Sequence, residues 1–232
     1  MADVQGVLER MSAFVCLIPS FNEEKTIGWL VMNLKAKGFD VTVIDDGSID
    51  QTARLAHGNG AEVIINEHNL GKGASLRKAF EILKTRAYEG VIIMDGDGQH
   101  LPSDVDQFIQ CFRDKSPGLV VGNRMHRPKR MPFVRQLTNA FMSLMISRMC
   151  RQRIPDTQCG FRLISMDALR AISLNTDRYE IESEMLLEVA RLGFKIESVP
   201  ITSVYDGQYS AIHPVKDTVR FFKFIFGKKD ET

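Results

Sequence analysis

No stretch of the chain approaches the roughly 18 to 20 consecutive apolar residues needed to cross a bilayer; the nearest is the short FFKFIF near the C-terminus. The opening residues, MADVQGVLER, lack the apolar centre of a signal peptide, and Cys16, Cys111, Cys150 and Cys159 form no CxxC pair. These absences point to a cytoplasmic protein with free thiols, unable to span a membrane but able to lie on its cytoplasmic face as a peripheral protein. An excess of charge is missing as well. The 30 Lys and Arg against 29 Asp and Glu leave a formal charge of +1, which argues against a surface built to trap nucleic acid and leaves only local patches to consider. Repeats, low-complexity tracts and linkers are absent too. With 44% hydrophobic residues, the 232-residue chain is therefore read as one domain, 1–232, with one substantial core.

What is present is a rhythm. From Ala13 the short apolar, β-branched runs FVCLIP, VTVIDD, AEVIIN and GVIIMDGD alternate with charged segments of helical period, which predicts βαβα order and a mostly parallel central sheet with helices on both faces. The runs are continuous apolar blocks, as strands buried on both sides should be, and polar residues gather just after their C-terminal ends. Those ends are where open α/β sheets bind ligands. GLVVG, Gly118 to Gly122, offers a further strand, after which a basic loop leads into a long helical stretch from about Phe133 to Cys150. Residues 13–122 read as a nucleotide half and 123–227 as an acceptor half.

The strongest chemical signal is Asp95-Gly96-Asp97-Gly98-Gln99-His100, directly after VIIM. Two carboxylates one residue apart at a strand end, with a glycine that allows close backbone approach, suit a hard divalent cation that also takes phosphate oxygens. Like charges this close raise each other's pKa unless a cation or a shared proton intervenes. A plain turn with two solvated aspartates is the competing reading. The second signal, Asp45-Asp46-Gly47-Ser48-Ile49-Asp50-Gln51-Thr52, also ends a buried strand. Asp50 suits a helix N-cap, and Asp46, Gly47 and Ser48 form a polar turn able to hydrogen-bond a base or ribose. The first strand ends in Pro19-Ser20-Phe21-Asn22-Glu23-Glu24, with Asn22 positioned to cap a helix starting near Glu23. Asn69-Leu70-Gly71-Lys72-Gly73 follows the third strand, so its N–H groups and Lys72 are candidates to face an anion, although the GxxxxGK[ST] spacing is absent.

In order, PSFNEE, DDGSIDQT, NLGKG and DGDGQH resemble glycosyltransferase family 2, in its polyprenyl-phosphate sugar synthase (dolichyl-phosphate mannose synthase-like) branch, over about Phe14 to Phe226. Gly122-Asn123-Arg124, Asp156 to Arg162 (DTQCGFR) and Glu180 to Glu184 (EIESE) resemble later elements of that pattern. The resemblance implies a GT-A-like nucleotide-binding α/β fold and a metal-dependent, inverting transfer of a sugar from a UDP- or GDP-sugar. It implies that Pro19, Phe21 and Glu23 hold base and ribose with Asp46, that Asp95, Asp97 and Gln99 bind Mg or Mn bridging the diphosphate, and that Arg124 and Arg135 contact an acceptor phosphate.

From Arg124 through Pro155 there is no Asp or Glu, while Arg124, Arg127, Lys129, Arg130, Arg135, Arg148, Arg151 and Arg153 fall inside, together with Val134, Leu137, Phe141, Leu144, Met145 and Met149 at helical spacing. A core-facing helix with solvated arginines accounts for this, and so does an interface helix that meets anionic lipid and a polyprenyl phosphate (undecaprenyl or dolichyl). A phosphate monoester, already ionised near neutral pH, needs little help from a base. A sugar-hydroxyl acceptor on a glycan or glycolipid would need one, with Asp156 or Glu182 as first candidates. His213 to Lys229 reads as an amphipathic helix, for lipid or for the core. Two readings from other classes are a DxDG-type phosphatase, whose motif normally follows the first strand, and a non-catalytic binding module.

Overall fold

The computed structural model describes residues 13–126 and 133–202; for 133–135 only the backbone is described. The segment 203–232, with the expected amphipathic helix, the basic loop 127–132, and the side chains of Val134 and Arg135 lie outside the described residues.

Seven strands form one sheet: β1 (Phe14–Ser20), β2 (Asp40–Asp45), β3 (Glu62–Ile65), β4 (Gly90–Ile93), β5 (Leu119–Asn123), β6 (Arg162–Ser165) and β7 (Ile196–Pro200). Their order is β3-β2-β1-β4-β6-β5-β7. β1 pairs in parallel with β2 and β4, β2 with β3, and β5 with β7, while β6 runs antiparallel to both β4 and β5. The expected α/β sheet is thus found, with one reversed strand, β6, between β4 and β5. β4 is buried at every residue, and β1 at every residue except Pro19, which is what continuous apolar strands covered on both faces require.

The helices are α1 (Ile27–Ala36), α2 (Thr52–Gly58), α3 (Lys72–Leu83), α4 (Val105–Lys115), α5 (Phe133–Cys150), α6 (Met166–Ala171) and α7 (Ile181–Arg191). α1 buries Ile27, Leu30, Val31 and Leu34, and α7 buries Ile181, Met185, Leu186 and Val189 among others, the stripes expected of helices laid on a sheet. α5 spans the length expected from the sequence. It is two-faced in an unexpected way: Asn139, Met142, Ser143, Ile146 and Cys150 are buried, while Leu137, Phe141, Leu144 and Met149 are exposed. All four cysteines are buried and unpaired. No helix among the described residues is long and apolar enough to cross a membrane.

Candidate active site

The parallel strands β1, β2 and β4 deliver their polar turns to one edge of the sheet, and the turns are stitched together there. Asn22 donates its backbone N–H to Ser48 Oγ (2.8 Å), and its side-chain Oδ1 accepts from Ile49 N–H (3.0 Å). Glu23 N–H reaches Thr52 Oγ1 (2.8 Å) and Glu24 N–H reaches Asp50 Oδ2 (3.2 Å). Asn22 therefore clasps the second turn instead of capping a helix, and α1 begins later, at Ile27, because Asn22 adopts a left-handed φ of 57° and its side chain is already committed. Asp50 does act at the start of α2, accepting from Thr52 N–H (2.9 Å). Phe21 is exposed at this edge, beside Pro19 and Ser20 at the end of β1.

Asp46 is almost fully buried and its carboxylate is heavily engaged. Asn66 Nδ2, Leu70 N–H and Ser75 Oγ donate to one oxygen at 2.8–2.9 Å, and Gly71 N–H donates to the other at 2.9 Å. This corrects two expectations. Asp46 serves as the anchor of the Asn69–Gly73 loop, not as a carboxylate open to a ribose. The N–H groups of Leu70 and Gly71, expected to face an anion, face Asp46. Gly47 follows in the same turn, and Ser48 accepts from Asn22 while donating its N–H to Asp45 Oδ1 (2.9 Å).

Lys72, the first residue of α3, also finds carboxylates instead of an open anion site. Its Nζ lies 2.5 Å from Asp95 Oδ1 and 2.6 Å from Glu182 Oε1, with all three side chains mostly buried. Burial opposes the lysine's charge, but the two carboxylates outweigh it and hold its proton more tightly than in a free lysine. Asp95 likewise sits in a site whose burial opposes ionisation, and Lys72 and His100 overcome this to hold its carboxyl well below the ordinary range. The other oxygen of Asp95 is 3.6 Å from His100 Nε2. Two glycines let this arrangement close. A Cβ on Gly96 would stand 2.5 Å from Ser20 Oγ, and a Cβ on Gly160 would stand 2.4 Å from Asp95 Oδ2. The TQCGFR element is thereby packed directly on the DxD turn, with His100 lying against Phe161 and Phe161 stacked on Phe108.

Asp97 and Glu23 share the opposite predicament. Burial and the neighbouring Asp95 raise the Asp97 carboxyl above its usual value, even though Gln99 N–H donates to its Oδ1 (2.9 Å). Burial and then Asp97 push the Glu23 carboxyl up to about 7. Glu23 was expected beside the base and ribose; the structure brings it to the DxD turn, where Thr26 Oγ1 bonds both its main-chain carbonyl and the carbonyl of Gly96.

Across the site, Arg124 at the end of β5 is clamped by Asp156, whose side chain is fully inaccessible: Nε to Oδ2 at 2.8 Å, Nη2 to Oδ1 at 2.9 Å, and the backbone N–H to Oδ2 at 3.1 Å. Asp156 is thus Arg124's anchor and is not placed to take a proton from an acceptor, which corrects its expected role as a base. Three residues had no role assigned from sequence, although two of them lie in motifs that were noted. His100 is buried with Nδ1 unbonded, Asn139 is buried on α5 with Nδ2 unbonded, and Arg162 is buried while donating to the carbonyls of Thr157, Cys159 and Glu182. For Asn139 the available signal was its place one turn before Ser143 and two before Ser147, both of which bond the 154–157 backbone.

A protein-family model, Glycosyl transferase family 2, matches residues 15–173, spanning β1 through α6 and thus every turn just described. The chain belongs to glycosyl transferase family 2. Among relatives of this family 2 transferase, an uncharacterized protein of Methanocaldococcus jannaschii is 32% identical, over 90% of this chain and 88% of its own length. UDP-N-acetylglucosamine–dolichyl-phosphate N-acetylglucosaminyltransferase of Methanococcus voltae is 31% identical, over 82% and 84%. In fold, the family 2 transferase superposes on glucosyl-3-phosphoglycerate synthase from Mycobacterium tuberculosis, solved with Mg2+ and uridine diphosphate, with a TM-score of 0.74 at 19% identity, covering 96% of this chain and 83% of that one. The GT-A-like architecture expected from the motifs is the one found.

The residues present fit a divalent cation. Among the described residues no three His, Cys, Asp or Glu side chains form a closed metal cage. Mg2+ and Mn2+ bound with a nucleotide do not require one, since one or two carboxylates suffice when diphosphate oxygens complete the shell. Asp97 and Glu23 are oxygen donors whose proton affinity is raised by burial and then by neighbouring carboxylates, and a hard cation would relieve both by neutralising their charge.

Proposed function

We propose that this family 2 glycosyltransferase moves a sugar, with inversion, from a UDP- or GDP-sugar to a polyprenyl phosphate at a membrane surface, using Mg or Mn. The donor lies over the edge formed by the β1, β2 and β4 turns. Pro19 and Phe21 flank base and ribose, with Gly47 and Ser48 supplying the turn that Asn22 pins, while Glu23 stands at the cation beside Asp97. Asp97, with Asp95 and Gln99 beside it, holds the cation, which supplies positive charge to the leaving diphosphate. Arg124 faces the acceptor phosphate, with Arg135 of α5 as its expected companion.

One observation carries the choice of acceptor. Attack by a sugar hydroxyl needs a carboxylate base, and both expected bases are committed: Asp156 to Arg124 and Glu182 to Lys72. A phosphate monoester, with a second pKa near 6, arrives already ionised and needs only positioning and charge stabilisation. The name of the Methanococcus voltae relative, with a UDP-sugar donor and a dolichyl phosphate acceptor, supports the same choice. The family membership sets aside the phosphatase and the non-catalytic module; consistent with this, the DxD turn follows the fourth strand in sequence, not the first.

The test is a matrix of UDP- and GDP-sugars against short polyprenyl phosphates and glycan acceptors, with Mn2+ or Mg2+ and with EDTA. The expected result is a glycosyl phospholipid formed only with a divalent cation. Transfer confined to glycan hydroxyls, or undiminished in EDTA, would overturn the proposal.

A further inference from the structure

Glu182 stands a single ammonium away from the DxD turn: Lys72 Nζ is 2.6 Å from Glu182 Oε1 and 2.5 Å from Asp95 Oδ1. Both ends of this bridge are fixed through the main chain. A Cβ on Gly71 would stand 2.6 Å from the Asp177 carbonyl oxygen, one on Gly73 would collide with that of Thr176, and Ala74 N–H donates to Asp177 O at 3.1 Å. The loop that carries Lys72 is thus packed on the loop that leads into α7. Glu184 holds the second loop in turn, its Oε2 accepting from the N–H groups of Asn175 (3.0 Å) and Thr176 (2.9 Å), and Arg162 donates to the carbonyl of Glu182 itself.

Stability alone does not account for so much placement, because a buried ion pair is often no more stabilising than apolar side chains of similar volume. Chemistry does. The donor's diphosphate and cation belong at the DxD turn, so the anomeric carbon is activated close to Glu182, and water is always present to compete with the acceptor. A carboxylate base within reach speeds such an attack by about 10²–10⁴-fold. An unpaired Glu182 would spend the donor on water, a side reaction that a transferase has to suppress.

We propose that Lys72 determines which nucleophile the enzyme uses: its ammonium keeps Glu182 from acting as a base, so that water and hydroxyl groups go unactivated while a phosphate, ionised on arrival, needs no base. This deepens the polyprenyl-phosphate reading and rests on it. Without the ammonium, Glu182 takes one proton from a water molecule as the water oxygen bonds to the anomeric carbon and the bond to the diphosphate oxygen breaks. The products are free sugar and the nucleoside diphosphate.

The test counts free sugar and glycosyl phosphate formed in one reaction by the full chain, with a labelled nucleotide-sugar, Mn2+ and a short polyprenyl phosphate. The ratio of the two products does not depend on how much of the enzyme is folded, so a merely structural role for Lys72 leaves it unchanged. Lys72→Met should raise the ratio of free sugar to glycosyl phosphate about tenfold or more, and Lys72→Met with Glu182→Gln should return it to the parent value. An unchanged ratio in Lys72→Met, or a ratio that stays high in the double variant, would overturn the proposal. If Lys72→Met gives no cooperative melt, Lys72→Gln, which keeps a hydrogen-bond donor without the charge, is read by the same ratio with the same two outcomes. A parent protein that forms no glycosyl phosphate would instead overturn the proposed function, which keeps the two apart.

Discussion

The Lys72 bridge makes the most quantitative prediction. Replacing it, Lys72→Met, keeps an apolar stem of similar length and removes the ammonium that lies between Asp95 and Glu182. The side chains of Lys72 and Glu182 are 12% and 13% exposed and that of Asp95 is 27% exposed, so solvent screens the abandoned carboxylates poorly. Removing one partner of a buried pair costs about 3–5 kcal/mol, and the partial access of Asp95 favours the lower end, about 3 kcal/mol. In a chain of this size that is a fall of about 6–12 °C in melting temperature. The pH dependence of the loss identifies its cause. In the native protein Lys72 and His100 hold the Asp95 carboxyl below its free-chain value, so its contribution is complete above about pH 4 and is lost as pH falls through the folded value. In the variant, burial is opposed by His100 alone, so that carboxyl rises from its native position and acid relieves part of the penalty. Metal-free melts in EDTA from pH 7.5 to pH 5 should therefore show the gap between variant and parent narrowing. A gap independent of pH, or no gap, would refute the electrostatic account of the bridge.

Gly160→Ala should cut transfer about a hundredfold at nearly unchanged secondary structure, since its Cβ would displace Asp95, which it would approach to 2.4 Å; turnover and circular dichroism check it. Because Glu23 is pushed up to about 7 and Asp97 is raised, the metal-free fold should lose stability as pH rises from about 4.5 to about 7, and Mn2+ should raise the melting temperature more at pH 7.5 than at pH 5.5. Equal shifts at the two values would remove these carboxylates from the cation site. Asp97→Asn should keep the fold and lose most activity, and near-normal turnover would exclude it. Arg124→Ala should destabilise by about 3 kcal/mol because it strands the inaccessible Asp156, whereas Arg124→Ala with Asp156→Asn should recover stability without recovering use of the phosphate acceptor. Denaturant titrations and acceptor KM separate those two effects.

The sheet was legible in the sequence because β1, β2 and β4 are unbroken apolar runs, and their parallel packing made it possible to place three polar turns together before any contact was known. The reversal of β6 was not legible. RLIS is a short strand with a polar residue at each end and no signal of direction, which is set by the connection that leads into it and not by the strand itself. Residue types at the site were legible; their partners were not. Lys72 and Asp46 looked like ligand groups because sequence shows charge without showing the partners, 20 to 110 positions away, that satisfy it. Glu23 was assigned to the nucleoside because sequence could not show that the turn after β1 leans toward Asp97. The periodicity of α5 showed apolar residues at helical spacing, but which stripe faces the core followed only from the packing of Asn139, Ser143 and Ile146.

The central claim, a phosphate acceptor attacked without a protein base, is tested most directly by offering the enzyme a short polyprenyl phosphate and the corresponding polyprenyl alcohol in one reaction with the preferred nucleotide-sugar and Mn2+, and reading products by mass spectrometry and the anomeric configuration by NMR. The account predicts sugar on the phosphate alone, with inverted configuration. Sugar on the alcohol, or retention at the anomeric carbon, would contradict it.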